Sequence, residues 1–169
     1  MIYIRCAIFS LIVLISGSAW GQSDWRSEID QLIQQADSLS LKSQKTFSLL
    51  KPYHQDKDIR ENWYYTTRNG RVVIFEIQYV IDSSEFSEIY YIHKGRLICM
   101  EQYEAPYLSV YADQLKRGES YFFLDNSLKQ YVTTGNGRRS PGIWGTSIES
   151  MSKFNQRFAE LQRHISYLR

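Results

Sequence analysis

Two glutamates are the first candidates for chemistry. Glu88 and Glu101 stand in consecutive strand-like segments separated by the turn dipeptide Lys94-Gly95. A two-residue hairpin at that turn would bring Glu88 directly opposite Glu101. Like charges opposed across a strand pair destabilise it, and two carboxylates held close, away from water, raise the pKa of one of them. General acid–base catalysis, including glycoside cleavage, uses such an arrangement. The pair also has a structural reading, in which water solvates it at the sheet end or a helix Lys or Arg neutralises it. Glu88 and Glu101 are therefore candidates, and no catalytic residue is assigned.

A second candidate lies in the glycine-rich stretch 135–145. There Arg138 and Arg139 are adjacent and Trp144 follows. Guanidinium groups recognise carboxylate or phosphate, and Arg and Trp dominate the energetics of many interfaces. Loops on a rigid scaffold carry function often, although Gly-Asn-Gly and Pro-Gly are also ordinary turn chemistry. Tyr107 and Tyr111, in the connection ahead of the fifth strand, could stack on a sugar or peptide. Most of the other tyrosines, of 13 in all, read simply as strand formers.

Other chemistries find no motif. His54, His93 and His164 are scattered, without a second His or Cys at metal-ligand spacing. There is no Gly-x-Ser-x-Gly elbow, and Cys99 has no evident activating base. Asn69-Gly70-Arg71 lacks the length and lysine of a phosphate loop. No metal or cofactor is expected.

These residues must be positioned by a strand-dominated middle flanked by helices. Trp25, Ile29, Leu32, Ile33, Ala36 and Leu39 recur at helical spacing, predicting a helix over 24–50 that Lys51-Pro52 stops, or two shorter ones. Strands are predicted near 62–68, 71–81, 86–93, 96–104, 119–125 and 128–134. Asn69-Gly70 and Lys94-Gly95 suit hairpin turns. Residues 105–118 read as a short helix or crossover. Met151, Phe154, Phe158, Leu161, Ile165 and Leu168 mark a final amphipathic helix over 147–168. The fold class is α+β: an antiparallel meander of about six strands packed with an N-terminal and a C-terminal helix.

If the registers hold and Ile81 opposes Phe86, one face of the sheet collects Val73, Phe75, Ile77, Tyr79, Phe86, Tyr90, Ile92, Leu97, Cys99 and Tyr103. The other collects Tyr65, Val72, Ile74, Ile89, Tyr91, Ile98 and Met100 beside Glu76, Gln78, His93, Arg96 and Gln102. The first face should lie under the C-terminal helix. The second should be covered by the N-terminal helix or by a second copy in a homodimer. The aromatic-pair hairpins, such as Tyr64-Tyr65 before Asn69-Gly70, resemble the Tyr-Tyr-x-x-Asn-Gly pattern of repeat proteins on bacterial surfaces over about a third of the chain. Their glycine spacing departs from that pattern, and no family is claimed.

The N-terminus predicts export. Arg5, the apolar run Ala7 to Ile15 and the small residues around Ala19-Trp20-Gly21 read as a signal peptide, residues 1–21, cleaved before Gln22. The alternative is an uncleaved anchor, for which nine apolar residues are too few to span a bilayer. Cleavage of 21 from 169 residues leaves 148, a single domain over 22–169 with no membrane span. Its 19 basic and 18 acidic side chains nearly balance, which argues against nucleic acid as a partner. Cys99 is then the lone cysteine, so no internal disulfide staples the fold. No Asn-x-Ser/Thr sequon occurs, which fits a bacterial periplasmic or secreted protein. The sequence thus predicts an exported, non-catalytic binding or envelope-associated domain for a protein, peptide or glycan. The alternative is a small hydrolase using Glu88 and Glu101.

Overall fold

A computed structural model describes residues 24–54, 57–107, 115–135 and 147–167. The predicted signal peptide, Tyr111, Arg138, Arg139 and Trp144 lie outside these residues. The architecture is α+β. Helix α1 (24–43) precedes strands β1 (Lys45–His54), β2 (Lys57–Arg68), β3 (Arg71–Ile81), β4 (Ser84–His93), β5 (Arg96–Pro106), β6 (Arg117–Leu124) and β7 (Ser127–Thr134), and helix α2 (Ser147–Tyr167) ends it. All seven strands form one sheet in sequence order, each antiparallel to the next.

The first strand replaces the end of the predicted N-terminal helix. Ser43 bonds back to the Leu39 carbonyl at 3.0 Å and the Gln44 amide to the Ser40 carbonyl at 3.1 Å, closing the helix. Between Ser38 and Thr46 the apolar residues are Leu39 and Leu41, and Leu41 is exposed, so a longer helix would have little to bury. After that stretch Phe47 and Leu49 alternate onto the face that holds Trp63, a period of two rather than 3.6. Pro52 is tolerated because β1 is an edge strand, where a missing donor breaks no ladder.

Three hairpins are built alike. Asn69-Gly70, Lys94-Gly95 and Asp125-Asn126 all take positive φ at both turn residues, the type I′ geometry whose twist suits a two-residue hairpin. In each, the third residue after the turn is extra: Val73, Ile98 and Lys129 oppose no partner, and the ladder shifts by one. These bulges correct the predicted faces. Val73, Cys99, Glu101 and Tyr103 move to the α1 side, while Tyr65, Val72, Met100 and Gln102 move to the α2 side. At the Asp82-Ser83 turn Ile81 opposes Ser84 rather than Phe86, a shift of two that leaves faces unchanged.

Each helix covers one face. Under α2 lie Trp63, Phe75, Tyr90, Met100 and Tyr121, with Phe154 and Leu161 supplied by the helix. Stacked rings run from Phe47 to Trp63 at 5.6 Å, on to Phe75 at 6.2 Å and to Tyr90 at 4.5 Å. Such pairs contribute about 0.5–1.5 kcal/mol each beyond the area they bury. Under α1 lie Ile74, Tyr91, Cys99 and Phe122, met by Ile29 and Ala36. No helix among the described residues is long and apolar enough to cross a membrane.

Candidate functional site

The expected opposition of Glu88 and Glu101 does not form. Glu88 pairs with Gln102, and Glu101 pairs with Ile89. The bulge at Ile98 moves the ladder by one residue, and one residue is enough to send the two carboxylates to opposite faces. Each joins a different network.

Glu88 lies under α2 in a balanced ion cluster. Lys153 Nζ stands 2.8 Å from its Oε1, and Arg157 Nε stands 3.3 Å from its Oε2. Tyr79 donates its hydroxyl to Oε1 at 2.9 Å and Tyr90 to Oε2 at 2.7 Å. Burial alone would push this carboxyl up; Lys153 and Arg157 outweigh it and hold the pKa at about 2. Arg157 also reaches Glu61 at 2.9 Å, and Lys51 bridges Glu61 at 2.8 Å and Glu160 at 2.6 Å. Three carboxylates thus face three cations. Glu61 and Glu88 are each only 1 % exposed, and their oxygens are occupied by internal donors. A carboxylate fixed in its charged form by several donors cannot act as a general acid. This cluster pins α2 to the sheet.

Sequence reasoning missed Glu61, Glu119, Lys51, Lys153 and Arg157. A readable signal for the glutamates was present. Glu61-Asn62-Trp63, Glu88-Ile89-Tyr90, Glu101-Gln102-Tyr103 and Glu119-Ser120-Tyr121 repeat the spacing Glu-x-aromatic. Residues two apart share a strand face, and in all four the ring donor bonds its own glutamate, at 2.7 to 3.1 Å. Glu119 further accepts from Arg117 and Tyr131.

Glu101 lies on the α1 face and is half-buried. Burial raises its pKa and nearby Asp37 raises it further, against the lowering effect of the Tyr103 hydroxyl at 2.9 Å. Asp37, on α1, is raised by burial against a bond from Tyr91. Glu101 also sits at the border of a distinct surface. Nearest the three type I′ turns, the apolar row Ile74, Tyr91, Cys99, Phe122 carries α1. The next row is Thr46, Tyr64, Glu76, Ile89, Glu101, Ser120 and Val132; the one after is Ser48, Asn62, Gln78, Ser87, Tyr103, Gly118 and Thr134.

Five neighbouring strands therefore place Ser48, Asn62, Gln78, Ser87 and Tyr103 in line. Ser48 donates to Asn62 Oδ1 at 2.8 Å, while Gln78 and Ser87 both donate to Glu76 Oε1, at 2.7 and 2.8 Å. These bonds orient the side chains and leave the Asn62 amide nitrogen and the Gln78 amide oxygen without a partner among the described residues. A trough of about 320 Å³ opens elsewhere, between Trp25, Ile29 and Leu32 of α1 and His93, Ile98 and Phe123 of the sheet, but its walls are mainly apolar.

Tyr107, the one described member of the predicted binding set, lies exposed just past β5, where its amide bonds the Ser83 carbonyl at 2.9 Å. It is not brought into line with Tyr103. Cys99 is buried, and burial pushes its thiol pKa up, with Glu101 adding to the effect. Among the described residues no three His, Cys, Asp or Glu side chains are grouped to hold a metal ion. No protein-family model matches this chain, and no curated protein or solved structure matches it either.

Proposed function

We propose that the chain is a non-catalytic binding domain acting outside the cytoplasm, and that it holds a glycan on the polar half of its α1 face. The carrying observation is the line Ser48, Asn62, Gln78, Ser87, Tyr103 bordered by Glu76 and Glu101. Adjacent strands are about 4.8 Å apart, so hydroxyl, amide and carboxylate groups recur at intervals on the scale of one sugar ring. A sugar presents hydroxyls that both donate and accept, and carboxylates and amides answer both needs. Tyr64 and Tyr103 add rings for the C–H face of a sugar. The rigid sheet fixes these groups in advance, which reduces the ordering cost of binding.

Titration of the purified chain with a panel of neutral oligosaccharides tests the reading. Asn62→Ala combined with Gln78→Ala should weaken binding about tenfold, close to 1.4 kcal/mol, with an unchanged circular dichroism spectrum. Failure of every oligosaccharide to bind, or undiminished binding by the double variant, overturns it. Arg138, Arg139 and Trp144 enter the proposal as a second contact that follows β7. Export rests on the run Ala7 to Ile15, and sequencing of the chain from an envelope fraction should begin at Gln22.

A further inference from the structure

The two outer edges of the sheet are not alike. β1 carries Lys45, Lys51 and Pro52 and an irregularity at Tyr53. Positive charge, proline and bulges are features that keep an edge from pairing with another strand. Past its bulge at Lys129, β7 runs Gln130-Tyr131-Val132-Thr133-Thr134, five exposed residues without charge, proline or glycine. An edge strand this exposed would ordinarily fray. This one is held from both sides. On the α2 side Tyr131 donates its hydroxyl to Glu119 and its ring lies 4.9 Å from Tyr121. On the α1 side Arg26 donates to Gln130 Oε1 at 2.7 Å. Among the described residues no strand pairs with the outer backbone of β7.

We propose that β7 pairs antiparallel with β7 of a second copy, about a two-fold axis at Val132. The segment is complementary to itself in that register. Val132 meets its own counterpart and Gln130 meets Thr134 on the α1 side, while Tyr131 meets Thr133 on the α2 side. No like charges oppose, and β-branched and aromatic residues are the favoured cross-strand partners. A patch that pairs with itself closes into a dimer and stops there. The two seven-stranded sheets become one of fourteen strands with both polar rows on the same side. Five residues make a short ladder, so the dimer should dissociate on dilution. The inference stands apart from the glycan reading.

Sedimentation of the purified chain across a concentration series should show a mass rising toward twice that of the monomer. Val132→Cys should crosslink on oxidation, and Leu50→Cys, on the opposite edge, should not. Val132→Lys and Val132→Glu should each remain monomeric with unchanged circular dichroism, and mixing them should restore the dimer. A wild-type chain that stays monomeric at high concentration overturns the proposal. So does a Val132→Lys dimer as tight as wild type, or Val132→Cys crosslinking no better than Leu50→Cys. Capture of an extended peptide along β7 by a monomeric chain would assign the edge to another partner and reject the second copy.

Discussion

Arg157 reaches Glu88 through two nitrogens, Nε at 3.3 Å and Nη2 at 3.4 Å, in a setting where Glu88 is shut away from water. Replacing such a pair by apolar groups can be nearly neutral, whereas removing one member strands the other's charge. The Arg157→Met variant should therefore lose roughly 3–5 kcal/mol in urea unfolding. Combining it with Glu88→Gln should recover part of that loss. A single variant as stable as wild type would show that the cluster does not hold α2.

Acid should weaken the protein in a definite window. Glu88 is held at about 2 in the folded chain against an ordinary 4.5, so the stability it lends is present above 4.5 and lost as pH falls toward 2. The gap corresponds to roughly 3 kcal/mol. Asp37 and Glu101 act in the opposite sense: their pKa values are raised, so what they contribute is present at low pH and lost as pH rises through the raised values. Urea melts from pH 2 to 7 should show a steep acid limb that Glu88→Gln removes. Asp37→Asn with Glu101→Gln should leave that limb and flatten the slope above it.

Cys99 should be inert in the folded chain. It is fully buried and its thiol is pushed up, by burial first and then by Glu101, and only the thiolate reacts. Disulfide reagents at pH 8 should label it no faster than α1 opens from the sheet, and at once in urea. Rapid native labelling would mean that α1 lifts from the sheet far more often than its packing implies.

Lys94 takes a φ of 51° at the first turn position of the β4–β5 hairpin. Asparagine accepts that conformation more readily. Lys94→Asn should stabilise the chain by about 0.5 kcal/mol, measured as a raised Tm with the fold unchanged.

Much of the architecture was legible because strands and helices imprint different periods. The stripe from Met151 to Ile165 and the turns at Asn69-Gly70 and Lys94-Gly95 were readable directly. The bulges were not. Nothing in Val73 or Ile98 distinguishes it from a paired β-branched residue, yet each reverses the faces of everything beyond it. Glu88 was found as a candidate, but its partners Lys153 and Arg157 come from a helix some 65 residues away, and no local pattern joins them. Strand β1 was hidden because Leu49 and Leu50 fit a helical continuation as well as a strand. The polar row on the α1 face required knowing which strands adjoin, which emerged only with the registers.

The surplus residues of the three hairpins have a consequence for how the molecule comes apart. Val73 and Ile98 pack with α1, and both lie outside the pairing of the ladders. The helix also rests on Ile74, Tyr91, Cys99 and Phe122, whose backbones pair with one another in the ladders and not with the helix. Its departure would break no interstrand bond, so the chain can expose the apolar strip beneath α1 while the ladders stay whole, and amide protons of 24–43 should exchange ahead of those in β3 to β5.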